Sequence, residues 1–257
     1  MTLSDEEGSD GNELDLFQEP KDYYAPPKPA TFTSYTTKQG VEVKLRLVGH
    51  NPLWGHLLWN AGQIVARYLE DNAVDIIKDK TILELGAGAG LPSLICALHN
   101  AKRVVVTDYP DADLIENLRY NIDHSISESY RKSITAQGFL WGSNVDALQH
   151  QLEHATQGFD LLILADILFN HSEHERLVNT LQQTLRKDST ARALVFFTPY
   201  RPWLLQKDLK FFELAENAGF HVAKLFEHVM DKVMFPEDPG DEILRRTVFA
   251  YEVRWPS

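Results

Sequence analysis

The sequence predicts an α/β fold, a mostly parallel sheet with helices on both faces and a β-hairpin ahead of it. Three observations carry this. Short apolar runs of strand character alternate with helical patterns from Thr81 to Val253. The first run, Thr81-Ile82-Leu83-Glu84-Leu85, breaks into Gly86-Ala87-Gly88-Ala89-Gly90 and resumes as the helical Pro92-Ser93-Leu94-Ile95-Cys96-Ala97-Leu98. The next run, Arg103 to Asp108, ends on a carboxylate about twenty residues past the glycines, where a second parallel strand presents an acid to a ribose. Strand, glycine loop, helix and acid-tipped strand together make a Rossmann-like sheet.

Length and charge set the frame for the elements. With 257 residues and 44% hydrophobic content, the chain fits one large α/β domain with a tail. Residues 1–20 read as an acidic, disordered tail: Asp5, Glu6, Glu7, Asp10, Glu13, Asp15 and Glu19 all precede the first basic residue, Lys21. They supply much of the net charge of −12, and the mildly acidic remainder argues against direct nucleic-acid binding. No apolar run reaches membrane-spanning length and no secretory signal opens the chain, so a soluble, cytoplasmic protein is expected. The one cysteine, Cys96, excludes an internal disulfide and reads as a small core residue.

Residues 21–50 form the second region. Tyr23 to Pro29 is proline-rich and extended, and Thr31–Thr36 and Val41–Leu47 alternate as two strands around a Lys38-Gln39-Gly40 turn. Residues 51–257 form the third, the catalytic domain. A helix is expected from Asn51 through Leu69, followed by the strand and glycine loop already described.

Asp111 and Asp113 read as capping and first-turn residues of a helix through Asn121. Later strands are expected at Thr135–Leu140, Phe159–Ala165, Ala193–Thr198, His221–Glu227 and Thr247–Val253, with helices over Glu175–Leu181 and Phe211–Ala218. The fourth strand is almost wholly apolar and therefore central, and it delivers Asp166-Ile167-Leu168-Phe169 to the sheet edge where ligands bind. The acidic Met234–Glu242 stretch stands outside the core pattern, as a grip for a basic peptide or as a solvated loop.

The glycine loop points to a nucleoside-bearing ligand, because glycine lets a ligand approach the main chain and the helix start offers free N–H groups. A dinucleotide fingerprint needs a third small residue where Leu91 stands, which disfavours a pyrophosphate and hence an oxidoreductase. The Glu-x-Gly-x-Gly-x-Gly order at Glu84 to Gly90 instead resembles motif I of the seven-stranded S-adenosylmethionine-dependent methyltransferases. Within them, Trp59-Asn60-Ala61 and Asp166 to Phe169 resemble the W-x-A and D/E-x-x-Y/F signatures of the protein-lysine methyltransferases. Longer runs, among them Leu16-Phe17-Gln18-Glu19-Pro20, Leu53 to Gly62 and Val106 to Asp111, resemble the fungal elongation factor methyltransferase 7 family over nearly the whole chain.

That resemblance implies S-adenosyl-L-methionine as cofactor, held by Trp59, Glu84, Gly86, Ala87, Gly88, Asp108, Trp141 and Ala165. It implies Asp166 and Phe169 at the acceptor amine, and methylation of the N-terminal glycine and adjacent lysine of translation elongation factor 1-alpha by a monomer. The chemistry suits those residue types. At pH 7 fewer than about one lysine in a thousand is neutral, against roughly one in ten α-amines, so a site must bind the ammonium, release a proton and align the nitrogen. A carboxylate can orient the N–H bonds and an aromatic face can stabilise the cationic nitrogen. The alternatives are a small-molecule methyltransferase acting on nicotinamide and a non-catalytic binding module.

Overall fold

The computed structural model describes residues 28–49, 51–52, 54–153 and 157–256. The acidic tail and most of the Tyr23–Pro29 stretch lie outside the described residues. The chain begins with β1 (Thr31–Thr36) and β2 (Glu42–Leu47), paired antiparallel around the expected turn. Tyr35, Val43, Leu45 and Leu47 alternate onto one buried face.

The order continues α1 (Asn60–Asp71), α2 (Ala73–Ile76), β3 (Thr81–Leu85), α3 (Leu91–Leu98), β4 (Arg103–Asp108), α4 (Ala112–Ser125), α5 (Glu128–Arg131) and β5 (Ile134–Gly138). It ends α6 (Asp146–Gln149), β6 (Leu161–Ala165), α7 (His174–Thr184), β7 (Arg192–Phe197), α8 (Leu205–Asn217), β8 (His221–Val229), α9 (Glu242–Arg245) and β9 (Thr247–Arg254). A seven-stranded sheet runs β5-β4-β3-β6-β7-β9-β8, parallel except where β9 lies antiparallel to β7 and β8. Connections climb outward from β3 to β5, then return to β6 on the other side of β3. The carboxyl ends of β3 and β6 therefore flank the crevice left by that reversal.

The two-residue period of the strands sorts the core. Ile82, Val104, Ile163 and Phe196 meet Val65 and Leu69 of α1, Ile95 of α3 and Leu118 of α4 on one face. Leu83, Val105, Leu164 and Val195 meet Leu177 and Leu181 of α7 and Phe211 of α8 on the other. Cys96 is buried in the first of these layers. Among the described residues no helix is long and apolar enough to cross a membrane.

The hairpin is built into the domain. Asn121 of α4 accepts from the Arg46 N–H at 2.7 Å and donates to the Arg46 carbonyl at 2.9 Å and the Ala89 carbonyl at 3.0 Å. One buried amide thus ties the hairpin to the glycine loop. Tyr35 donates to Glu70 of α1 at 2.6 Å, a second anchor, and burial with that partner raises the phenol pKa.

Several boundaries differ from the sequence expectation, and three have a clear physical cause. The first helix starts at Asn60, not Asn51, because turns at Pro52 and at Gly55 and His56 precede it and Trp54 takes a left-handed φ of 63°. The third strand of the large sheet stops at Gly138, two residues early, since its pairing with β4 ends there. Helix α8 starts at Leu205, well before Phe211, after a 3₁₀ turn over Pro202–Leu204.

Candidate active site

The glycine loop owes its path to three left-handed residues, Gly86, Gly88 and Gly90. Gly86 has φ 65°, and a Cβ there would meet Ile167 at 2.8 Å and Trp141 at 3.1 Å, so packing alone requires glycine. Gly88 has φ 56°, but a Cβ there meets nothing within 4 Å. Its Cα faces an open cleft of about 680 Å³, within the range of small-molecule and cofactor sites.

The cleft lies at the carboxyl ends of β3, β4, β5 and β6, and all eight residues expected around the cofactor line it. Glu84 reaches past the loop to α3, where its carboxylate accepts from the Ser93 N–H at 2.9 Å and from the Ser93 hydroxyl. Those bonds satisfy the first turn of a helix whose own N-cap, Gly90, has no side chain to offer. Burial pushes the Glu84 pKa up to about 8, against the pull of the Ser93 bonds. Asp108 accepts from the Gly88 N–H at 2.6 Å and the Tyr109 N–H at 2.7 Å, bracing the loop against the tip of β4. Burial raises its pKa while those two bonds lower it. Trp141, just past β5, and Ala165, the last residue of β6, complete the wall.

A second cavity of about 290 Å³ adjoins the cleft, with Trp54, Trp59, Asp166, Phe169 and Arg201 shared between the two. Asp166 leaves the end of β6 with φ 53°, unusual for a residue with a side chain. Its carboxylate accepts from the Thr198 N–H at 2.7 Å, the Ala61 N–H at 2.9 Å and the Tyr200 hydroxyl at 3.2 Å. Ala61 is the second residue of α1, so Asp166 caps that helix from across the fold. Burial pushes its pKa up to about 7, and the Ala61 and Thr198 bonds pull the other way. Phe169, 44% exposed, stands at the mouth, its carbonyl accepting from Arg201 at 2.9 Å.

Sequence reasoning missed three walls of this chamber. Trp59 has Tyr200 at 5.1 Å and Phe235 at 5.9 Å between ring centroids, and Tyr200 and Phe235 are 5.7 Å apart. Tyr200 follows β7, the sheet neighbour of β6, which places it beside Asp166; that signal was readable from strand order. Phe235 belongs to the acidic 234–242 stretch, which therefore folds back onto the site, held by Arg245 donating to the Phe235 carbonyl at 2.7 Å. Asp208 of α8, paired with His171 at 2.6 Å, is the third.

A cleft built on a glycine loop and an acid-tipped second strand, opening onto an aromatic and acidic chamber, defines a nucleoside-cofactor transferase of the α/β class. Comparison with known proteins makes the class specific. Residues 38–218 match the family model described as lysine methyltransferase. A protein from Aspergillus fumigatus named protein N-terminal and lysine N-methyltransferase is 48% identical over 94% of this chain and 93% of its own length. One of the same name from Kluyveromyces lactis is 41% identical over 97% of this chain and 98% of its own. Among solved structures, the Thermus thermophilus 16S rRNA N2 G1207 methyltransferase aligns with a TM-score of 0.52 at 16% identity, covering 90% of this chain and 52% of that one.

The chain belongs to the lysine methyltransferase family. It is an S-adenosyl-L-methionine-dependent protein methyltransferase, and its residues fit that donor: the space at Gly88 is open, Asp108 stands at the second strand tip, and Trp141 offers an aromatic wall.

Proposed function

We propose that this enzyme methylates the N-terminal amine and the adjacent lysine of translation elongation factor 1-alpha, in the cytoplasm. The relatives' shared name, protein N-terminal and lysine N-methyltransferase, supports the chemistry, and the runs from Leu16 to Asp111 that resemble the elongation factor methyltransferases support the substrate. The observation that carries the reading is the junction of donor cleft and aromatic chamber at Trp59, Asp166 and Phe169.

S-adenosyl-L-methionine supplies an electrophilic methyl group on its sulfonium. Glu84, Gly86, Ala87, Gly88, Asp108, Trp141 and Ala165 would hold it, with Trp59 between cleft and chamber. Asp166 accepts an N–H of the incoming amine on the carboxylate lone pair that its three protein donors leave free, and so fixes the nitrogen's direction. Phe169, with Trp59, Tyr200 and Phe235, offers ring faces to a nitrogen that stays cationic as methyls accumulate. Alignment contributes more than acid–base chemistry, because the α-amine loses its proton readily near neutral pH. The test is incubation with labelled cofactor and purified elongation factor 1-alpha, with the modified residues mapped by mass spectrometry. Label on the N-terminal glycine and neighbouring lysine supports the reading; label on free nicotinamide and none on the protein refutes it.

A further inference from the structure

The chamber holds a second acid that the mechanism leaves unused. Asp208, in the first turn of α8, is 6% exposed yet lines the chamber wall. Its Oδ1 meets His171 Nε2 at 2.6 Å, and among the described residues that is its one hydrogen-bond partner, so Oδ2 accepts none. Asp166 is different: three protein donors already occupy both its oxygens. Oδ2 therefore keeps its lone pairs for a donor carried by a ligand in the chamber that Asp208 lines.

Placement separates the two acids as well. Asp166 lines both the donor cleft and the chamber, whereas Asp208 lines the chamber alone. The group that reacts belongs at Asp166, so a group held at Asp208 is not the one being methylated at that moment. The other charges around Asp208 leave room for a cation. Burial raises the Asp208 pKa, with His171 and then Arg201 pulling the other way; Arg201 spends a guanidinium N–H on the Phe169 carbonyl and forms no ion pair with Asp208 among the described residues. His174 packs against His171 at 5.5 Å and donates its Nε2–H to the Leu168 carbonyl at 2.8 Å. Tyr200 and Asp238 complete the polar lining, and Asp238 adds to the negative charge.

We propose that Asp208 recognises the basic side chain next to the amine being methylated, making it a specificity-determining residue for substrates that begin with a small residue followed by lysine. This rests on the reading of the substrate as a protein N-terminus with an adjacent lysine. A charge-assisted hydrogen bond in a buried chamber discriminates by roughly tenfold or more against a substrate that lacks the charge.

The experiment compares kcat/KM of the full chain on two peptides with the elongation factor N-terminus, one beginning Gly-Lys and one Gly-norleucine, read as methylation of the α-amine. The wild type is expected to favour the lysine peptide by about tenfold or more. Asp208→Asn brings that ratio close to one, and His171→Gln, which keeps the carboxylate, preserves it. A wild-type ratio near one overturns the assignment without any variant having to fold, and so does an Asp208→Asn enzyme that retains the full preference. A wild type that methylates neither peptide, while binding S-adenosylhomocysteine, defeats instead the substrate reading on which the assignment rests.

Discussion

The Asp166 carboxylate accepts a hydrogen bond at 2.9 Å from the main-chain N–H of Ala61, 105 residues earlier in the chain. One side chain thereby caps the helix that carries Trp59 at its start and faces both the donor cleft and the acceptor chamber. On the function proposed above, stability and catalysis meet in that bond.

Removing the carboxylate therefore has two effects. Asp166→Ala leaves the N–H groups of Ala61 and Thr198 without their acceptor in a buried place, a loss of about 1–3 kcal/mol in stability. Methyl transfer falls by about a hundredfold or more, as expected when an aligning group is lost. Denaturant unfolding and single-turnover assays check the two, with S-adenosylhomocysteine calorimetry showing that the donor cleft persists. Full activity in this variant would remove Asp166 from the acceptor site.

Tyr200→Phe isolates the orientation of that carboxylate. The ring still packs on Trp59 and Phe235, but the hydroxyl that donates to Asp166 at 3.2 Å and accepts from the Asn60 N–H is gone. That hydroxyl lowers the Asp166 pKa, so its loss raises the pKa further. The acid limb of kcat/KM should move to higher pH, whereas a purely structural role would lower activity without moving the limb.

The buried acids also give stability a definite pH slope. Asp166, raised to about 7, and Glu84, raised to about 8, both bind protons more tightly folded than unfolded. What they contribute to stability is complete below their ordinary carboxylate values and is lost as pH rises through about 7 and about 8. Thermal melts from pH 5 to 9 should show Tm falling, with a shallower fall in Glu84→Gln. A Tm that climbs over this window would contradict the burial of these groups as acids.

Substitutions at Gly86 and Gly88 should separate packing from binding. Gly86→Ala pushes a methyl into Ile167 and Trp141 and destabilises the fold by about 1–3 kcal/mol. Gly88→Val projects into the open cleft, so its main effect is on the ligand: S-adenosylhomocysteine affinity drops by about tenfold or more while the loss of stability stays near the strain of a left-handed residue, about 1–2 kcal/mol. Calorimetry and denaturant melts on both variants check this.

Local pattern made much of this legible. Arg103–Asp108 begins and ends as β4 does, Asp111 caps α4 by accepting from the N–H groups of Asp113 and Leu114, and the hairpin pairs about its turn as its alternation implies. What escaped depends on contacts between distant segments. The start of α1 could not be read because its cap is Asp166 rather than a neighbour, and Trp59 at the N-cap makes no side-chain capping bond. Phe235 lies in a run of carboxylates and prolines that looks solvated, yet two rings from elsewhere in the chain give it a place to pack. The chamber's walls come from the ends of β6 and β7, the first turn of α8 and the loop before α9, brought together by strand order.

The most direct test of the account is a crystal structure of the enzyme with S-adenosylhomocysteine and a peptide carrying the elongation factor N-terminus. The nucleoside is expected over Gly88 with its ribose at Asp108, and the peptide amine in the aromatic chamber against Asp166. A peptide amine bound away from Trp59, Asp166 and Phe169, with the donor in the cleft, would contradict it.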